Sequence, residues 1–144
     1  MAREIRRLSI DAYDEIIRVW GIAGLPYKPK GRDSQPMMAK EMANPNVAFF
    51  GLFDDDSMLG VIIANFDGRR GWINRLAVDP DHRGQGLAAE LIARGEEFLR
   101  SLGAMVICAL IEDINYPSIS CFQNNGYNCE HNIKYFTKRP SPDA

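Results

Sequence analysis

A pair of closely spaced glycines is the first place where this sequence could do chemistry, within Asp79-Pro80-Asp81-His82-Arg83-Gly84-Gln85-Gly86-Leu87-Ala88. Gly84 and Gly86 stand between a strand-like run, Trp72 to Val78, and a long amphipathic run that begins at Leu87. Glycine at such a junction lets main-chain N–H groups close on an anion with no Cβ in the way, and the helix start adds favourable potential. A phosphate or pyrophosphate is the natural guest, although spacing alone is equally compatible with a tight strand-to-helix turn. The run lacks the third glycine of a dinucleotide fingerprint and the Gly-Lys-Ser/Thr of a P-loop, which disfavours NAD and ATP.

Two stretches then point the same way. Leu76-Ala77-Val78-x-Pro80-x-x-Arg83-Gly84-Gln85-Gly86-Leu87-Ala88 resembles the acetyl-CoA-binding signature of the GCN5-related N-acetyltransferase (GNAT) superfamily, Arg/Gln-x-x-Gly-x-Gly/Ala. About thirty residues later, Asn115-x-x-Ser118-Ile119-x-x-Phe122-Gln123-x-x-Gly126-Tyr127 is similar to that family's Asn-x-x-Ala-Ile-x-x-Tyr-Glu-x-x-Gly-Phe/Tyr segment. The resemblance implies acetyl-CoA as co-substrate and no metal. It implies that backbone N–H groups of Gly84, Gln85, Gly86, Leu87 and Ala88 hold the pyrophosphate, with Arg83 framing the loop. Leu76, Ala77 and Val78 would pair with the pantetheine arm and present a backbone N–H to the thioester oxygen, an oxyanion hole made of main chain. Asn115 would hydrogen-bond the same arm.

The reaction implied is direct attack of a primary amine on the thioester, the acceptor being a small molecule, an amino acid or a peptide. A base must take the ammonium proton, directly or through water. In protein N-terminal acetyltransferases the base lies five residues before the Asn; here that residue is Leu110, which cannot act. Glu112 is two residues on, would share the face of Leu110 in a regular strand, and is the candidate base, against the plainer reading of Glu112-Asp113 as a solvated strand end. Phe122 stands where most relatives carry an acidic Tyr, so Tyr116, Tyr127 or a water is left to supply a proton. A thiol pKa near 8.5 makes thiolate a tolerable leaving group without an acid. Both departures leave open an alternative function, an acyl-CoA-binding or regulatory module with weak or no transfer.

The elements that must position these residues follow from periodicity. Strands are expected over Ile5 to Ile10, Val47 to Phe53, Met58 to Phe66, Trp72 to Val78, Ala104 to Ile111 and Ile133 to Thr137. Helices are expected from Ala12 to Ile22, from a cap at Asp33 or Ser34 to about Met42, from Leu87 to Leu102, and from about Pro117 to Asn124. The fold class is α/β: a mixed, mostly antiparallel sheet with a central strand-helix-strand crossover flanked by helices, the acyl-CoA N-acyltransferase fold by resemblance. Residues 1–138 read as one domain and 139–144 as a flexible polar tail.

Composition narrows the partners. The 144 residues carry 17 Lys+Arg against 19 Asp+Glu, a net charge of −2, which argues against coating nucleic acid or a polybasic membrane anchor. Cys108, Cys121 and Cys129 form no Cys-x-x-Cys pair, and His82 and His131 stand far apart, so neither a zinc site nor a secreted disulfide framework is expected. The N-terminus has no apolar signal core. The expectation is a cytoplasmic monomer or homodimer. Trp20, Tyr27, Lys28, Lys30 and Arg32 fall where the family forms the acceptor side of its cleft, while Arg69, Arg70, Arg75 and Arg83 make a cationic stretch suited to the cofactor's phosphates, although alternation keeps all four from facing one ligand.

Overall fold

The structure, a computed structural model, describes residues 3–144. Five strands, β1 (Arg3–Arg7), β2 (Val47–Asp54), β3 (Ser57–Phe66), β4 (Arg70–Val78) and β5 (Val106–Ala109), lie side by side in chain order. The first four are antiparallel neighbours, and β5 joins β4 in parallel after the crossover helix α3 (Leu87–Ser101). The helices α1 (Tyr13–Ile22), α2 (Gln35–Met42) and α4 (Tyr116–Asn124) complete the order.

The central strands have cores on both faces. Period-two alternation along β2 sends Val47, Phe49 and Phe53 toward Ile16, Val19 and Trp20 of α1 and Met38 of α2. It sends Ala48, Phe50 and Leu52 toward Leu87, Leu91, Ile92, Phe98 and Leu99 of α3 and Phe122 of α4. The apolar stripe read from Leu87 onward is thus the face that α3 buries. Ser34, one of two residues expected to cap α2, accepts from the Met37 N–H, while Asp33 is buried for a different purpose described below.

Three expected elements differ. The first strand is Arg3–Arg7, not Ile5 to Ile10, because Ser9 accepts from the Asp11 N–H and opens a 3-10 turn over Ile10–Ala12. The strand expected over Ala104 to Ile111 shrinks to Val106–Ala109 and is not covered on both faces; it forms the sheet edge, and Met105 beside it is 94% exposed. No strand forms over Ile133 to Thr137. Those residues have strand-type propensity but no ladder partner, and all five are exposed. Among the described residues no helix is long and apolar enough to cross a membrane.

Candidate active site

A fork in the sheet creates the cleft. The β4 and β5 strands pair only from Arg70↔Val106 to Ile73↔Ala109, yet β4 runs on to Val78. From Asn74 onward the β4 edge therefore lacks β5 as a neighbour, and the wedge opens into a cleft of about 1390 Å³. Leu76, Ala77 and Val78 line one bank, and Ala109 to Glu112, Asn115, Ser118 and Phe122 the other. Unpaired strand N–H and C=O groups offer an extended ligand a ready ladder.

A bulge shapes the β4 bank. Val61 of β3 opposes Ala77 while Ile63 opposes Asn74, so β4 holds one residue more than its partner across this interval. Arg75 lies inside it with φ of 54°, a left-handed conformation uncommon outside glycine. The extra residue reverses side-chain parity. Gly71 and Ile73 face α3, and unbroken alternation would aim Arg75 there too; its guanidinium instead lies 4.8 Å from the Trp20 ring on the α1 face.

Arg75 is bound tightly on that side. It donates to the Pro26 carbonyl at 2.7 Å and to Asp33 Oδ2 at 2.8 Å, and Asp33 also accepts from the Lys28 N–H at 2.7 Å. The pair ties the 24–34 connection to the sheet, so of the cationic stretch Arg75 is engaged by Pro26 and Asp33. Arg69 and Arg70 sit at the opposite end of β4, around a turn where Asp67 accepts from both their backbone N–H groups and from Trp72 Nε1. Those three donors pull the Asp67 carboxyl down to about 2. Among the expected acceptor-side residues, Arg32 lines the cleft, whereas Trp20 is fully buried core.

The glycine turn has the geometry an anion requires. Gly84 and Gly86 adopt φ of 80° and 78°, and a Cβ at either would point into open space. No side chain caps α3, whose first helical bond is Glu90 N–H to the Gly86 carbonyl, so the N–H groups of Leu87, Ala88 and Ala89 precede the ladder. Arg83, Gly84, Gly86, Leu87 and Ala88 all line the cleft. Gln85 turns its side chain the other way, accepting from the Arg3 guanidinium.

On the far bank, Asn115 caps α4 by accepting from the Ser118 N–H at 3.3 Å, which leaves its amide NH2 for a ligand. Glu112 and Leu110 both line the cleft beyond the end of β5, where strand alternation no longer sorts faces. Tyr116, in the first turn of α4, is 69% exposed and stands outside the lining. Phe122 is buried, with its ring edge-on to Tyr127 at 5.0 Å. The Tyr127 hydroxyl donates to Glu96 Oε2 of α3 at 2.6 Å, and burial with that carboxylate pushes its pKa far up, so it has no proton to offer the cleft.

Sequence reasoning missed Glu41, which lines the cleft from α2. Glu41 is an exposed residue, and partial desolvation of its carboxyl raises its pKa, the Asp33 charge adds to the rise, and Arg75 opposes it. The folded state therefore binds this proton more tightly than the unfolded chain does. The resulting penalty is absent below the unfolded value near 4.3 and is complete once pH passes the raised folded value. Glu41→Gln is accordingly expected to raise the melting temperature at pH 7 by about 1 °C, solvent screening keeping the effect small, and to leave it unchanged at pH 4. Thermal scans at the two pH values check this.

Comparisons with known proteins give the family and the fold. The model of the Acetyltransferase (GNAT) family matches residues 10–127, and the chain belongs to that family. It is thus an N-acetyltransferase with acetyl-CoA as co-substrate. The chain is 29% identical over 136 residues to acetyltransferase SG1711 of Sodalis glossinidius, covering 94% of each chain. To acetyltransferase plu1384 of Photorhabdus laumondii it is 29% identical over 137 residues, with the same coverage. Among solved structures, the PaiA N-acetyltransferase from Thermoplasma acidophilum in complex with coenzyme A superposes with a TM-score of 0.78 at 21% identity, over 90% of this chain and 92% of that one. AAC(6')-Iy in complex with a CoA-S-monomethyl-acetylneamine bisubstrate analogue gives 0.77 at 17% identity, over 96% and 99%. At such identities the superpositions establish the shared fold.

Proposed function

We propose that the chain transfers acetyl from acetyl-CoA to a primary amine of a small molecule, amino acid or peptide, by direct attack within the β4–β5 fork. The observation that carries this reading is the conjunction of the fork with the uncapped start of α3. An extended thioester arm can pair with the free edge of Leu76–Val78 while the first-turn N–H groups of α3 meet its pyrophosphate. A main-chain N–H on that edge then faces the thioester oxygen as it gains charge. Asn115 donates to the arm from the opposite bank. Three free cysteines suit a reducing, cytoplasmic setting.

Glu112 is the proposed base, accepting the ammonium proton directly or through one water, because it is the carboxylate on the β5 bank of the fork. Thiolate is a tolerable leaving group that takes up a proton after it departs, and Tyr116 is the proposed donor on the α4 side once its side chain rotates from solvent. Free thiol is to be followed with acetyl-CoA and a panel of n-butylamine, putrescine, free amino acids and an alanine tripeptide amide. Release with at least one of them, and a fall of about 100-fold in turnover for Glu112→Gln with CoA affinity preserved, is expected. An unaltered pH–rate profile in that variant removes Glu112 as base. Tight CoA binding with no release across the panel favours the binding-module reading.

A further inference from the structure

The C-terminal segment crosses the cleft. Beyond Tyr127, fixed to α3 through Glu96, residues 128–144 form no helix or strand. Tyr135 and Arg139 nonetheless line the cleft, and the residues after them rest on the opposite bank. Lys28 Nζ donates to the Pro142 carbonyl at 2.9 Å. The Asp143 carbonyl approaches Gly31 so closely that a Cβ there would lie 2.0 Å from its oxygen. A turn closes the segment on itself, with Ala144 N–H bonded to the Ser141 carbonyl and Arg139 to the Ala144 oxygen, at 3.2 and 3.1 Å.

The seat that receives this segment is stiff. Gly31 N–H and Asp33 N–H both bond to the Lys28 carbonyl at 3.0 Å, and Asp33 in turn is held by Arg75. A chain that leaves the α4 bank, touches the cleft at two side chains and docks on the loop of the acceptor bank is a strap over the acceptor end. The glycine is the contact's requirement, because any side chain at position 31 collides with backbone that has no rotamer to yield.

Building on the transfer reading, we infer that residues 135–144 roof the acceptor end of the cleft and set a size limit on the amine, admitting compact primary amines and excluding amines carried on a peptide chain. Tyr135 and Arg139 are its specificity-determining side chains. The strap's anchors are Lys28 and Gly31 and not residues of the glycine turn, so the proposal assigns it to the acceptor and not to CoA.

The test compares wild type with Gly31→Ala and with Lys28→Met, which removes the other anchor and adds no atom to the loop. Seating is read without turnover by amide exchange at Ala144, and selectivity by kcat/KM for n-butylamine against an alanine tripeptide amide. Both variants are expected to speed exchange at Ala144 and to shift the ratio toward the peptide by about tenfold, while the CoA-induced rise in melting temperature stays that of wild type. Unchanged exchange in both variants, or faster exchange with an unchanged ratio, overturns the strap. Absence of thiol release by wild type across the whole amine panel overturns the transfer reading itself, and the strap's role with it.

Discussion

Replacing Arg75 by methionine is expected to lower the melting temperature by roughly 10 °C. Methionine keeps most of the side-chain stem against Trp20 but removes the guanidinium, stranding Asp33, whose side chain is 9% exposed, with the Lys28 N–H and an Arg32 nitrogen at 3.8 Å. Breaking a buried ion pair from one side costs about 3 kcal/mol, much of it from the unpaired charge left behind. For a domain of this size that converts to a shift of the stated order. Arg75→Met combined with Asp33→Asn is expected to recover about half of the loss, since the stranded charge is then gone. Thermal melts of wild type, Arg75→Met, Asp33→Asn and the double variant check both statements; an additive double variant would mean the two residues act independently.

That pair was the least legible part of the site. Arg75 and Asp33 are 42 positions apart, and the alternation along Trp72 to Val78 would send Arg75 to the α3 face. Only the register slip between Val61 and Ile63 turns it over, and the residue that takes the left-handed conformation is an arginine, so no glycine marks the spot. Glu41 was hidden for a related reason: nothing local in α2 indicates that its carboxyl faces the Arg75–Asp33 pair. The glycine turn was legible because its chemistry is local, with two glycines, a strand before and an amphipathic helix after. Fold class was legible for the same kind of reason, since β2 to β5 each carry their own apolar alternation or run, whereas β1, Arg-Glu-Ile-Arg-Arg, carries neither and was misplaced. The expected strand at Ile133 to Thr137 failed because propensity supplies no partner, and Ala104 to Ile111 was shortened because an apolar run does not reveal that it ends at an open fork.

Gly86→Val is expected to weaken CoA binding by about 100-fold, equivalent to roughly 2.7 kcal/mol. A β-branched residue is disfavoured at the φ of 78° that Gly86 adopts, so the turn must either store strain of about 1–3 kcal/mol or rotate away. Rotation redirects the first-turn N–H groups of α3, and the added side chain also stands in the open space through which the anion approaches. Gly68→Val separates these effects from general destabilisation. Gly68 has φ of 95°, equally open surroundings and a place in the β3–β4 turn, so its variant should lose stability and keep wild-type CoA affinity. Calorimetric titration of CoA into the two variants checks this, and equal affinities in both would mean that the turn at 84–86 does not hold the pyrophosphate.

The central claim is that main-chain N–H groups at the start of α3 and along the free edge of β4 receive coenzyme A. Backbone amide resonances of the nitrogen-15-labelled protein, followed through a CoA titration, test it most directly. The account predicts saturable shifts concentrated at Gly84–Ala88 and Leu76–Val78, with the β3–β4 turn at Gly68 unmoved. Saturation with shifts confined to other surfaces, or no shifts at millimolar CoA, would contradict it.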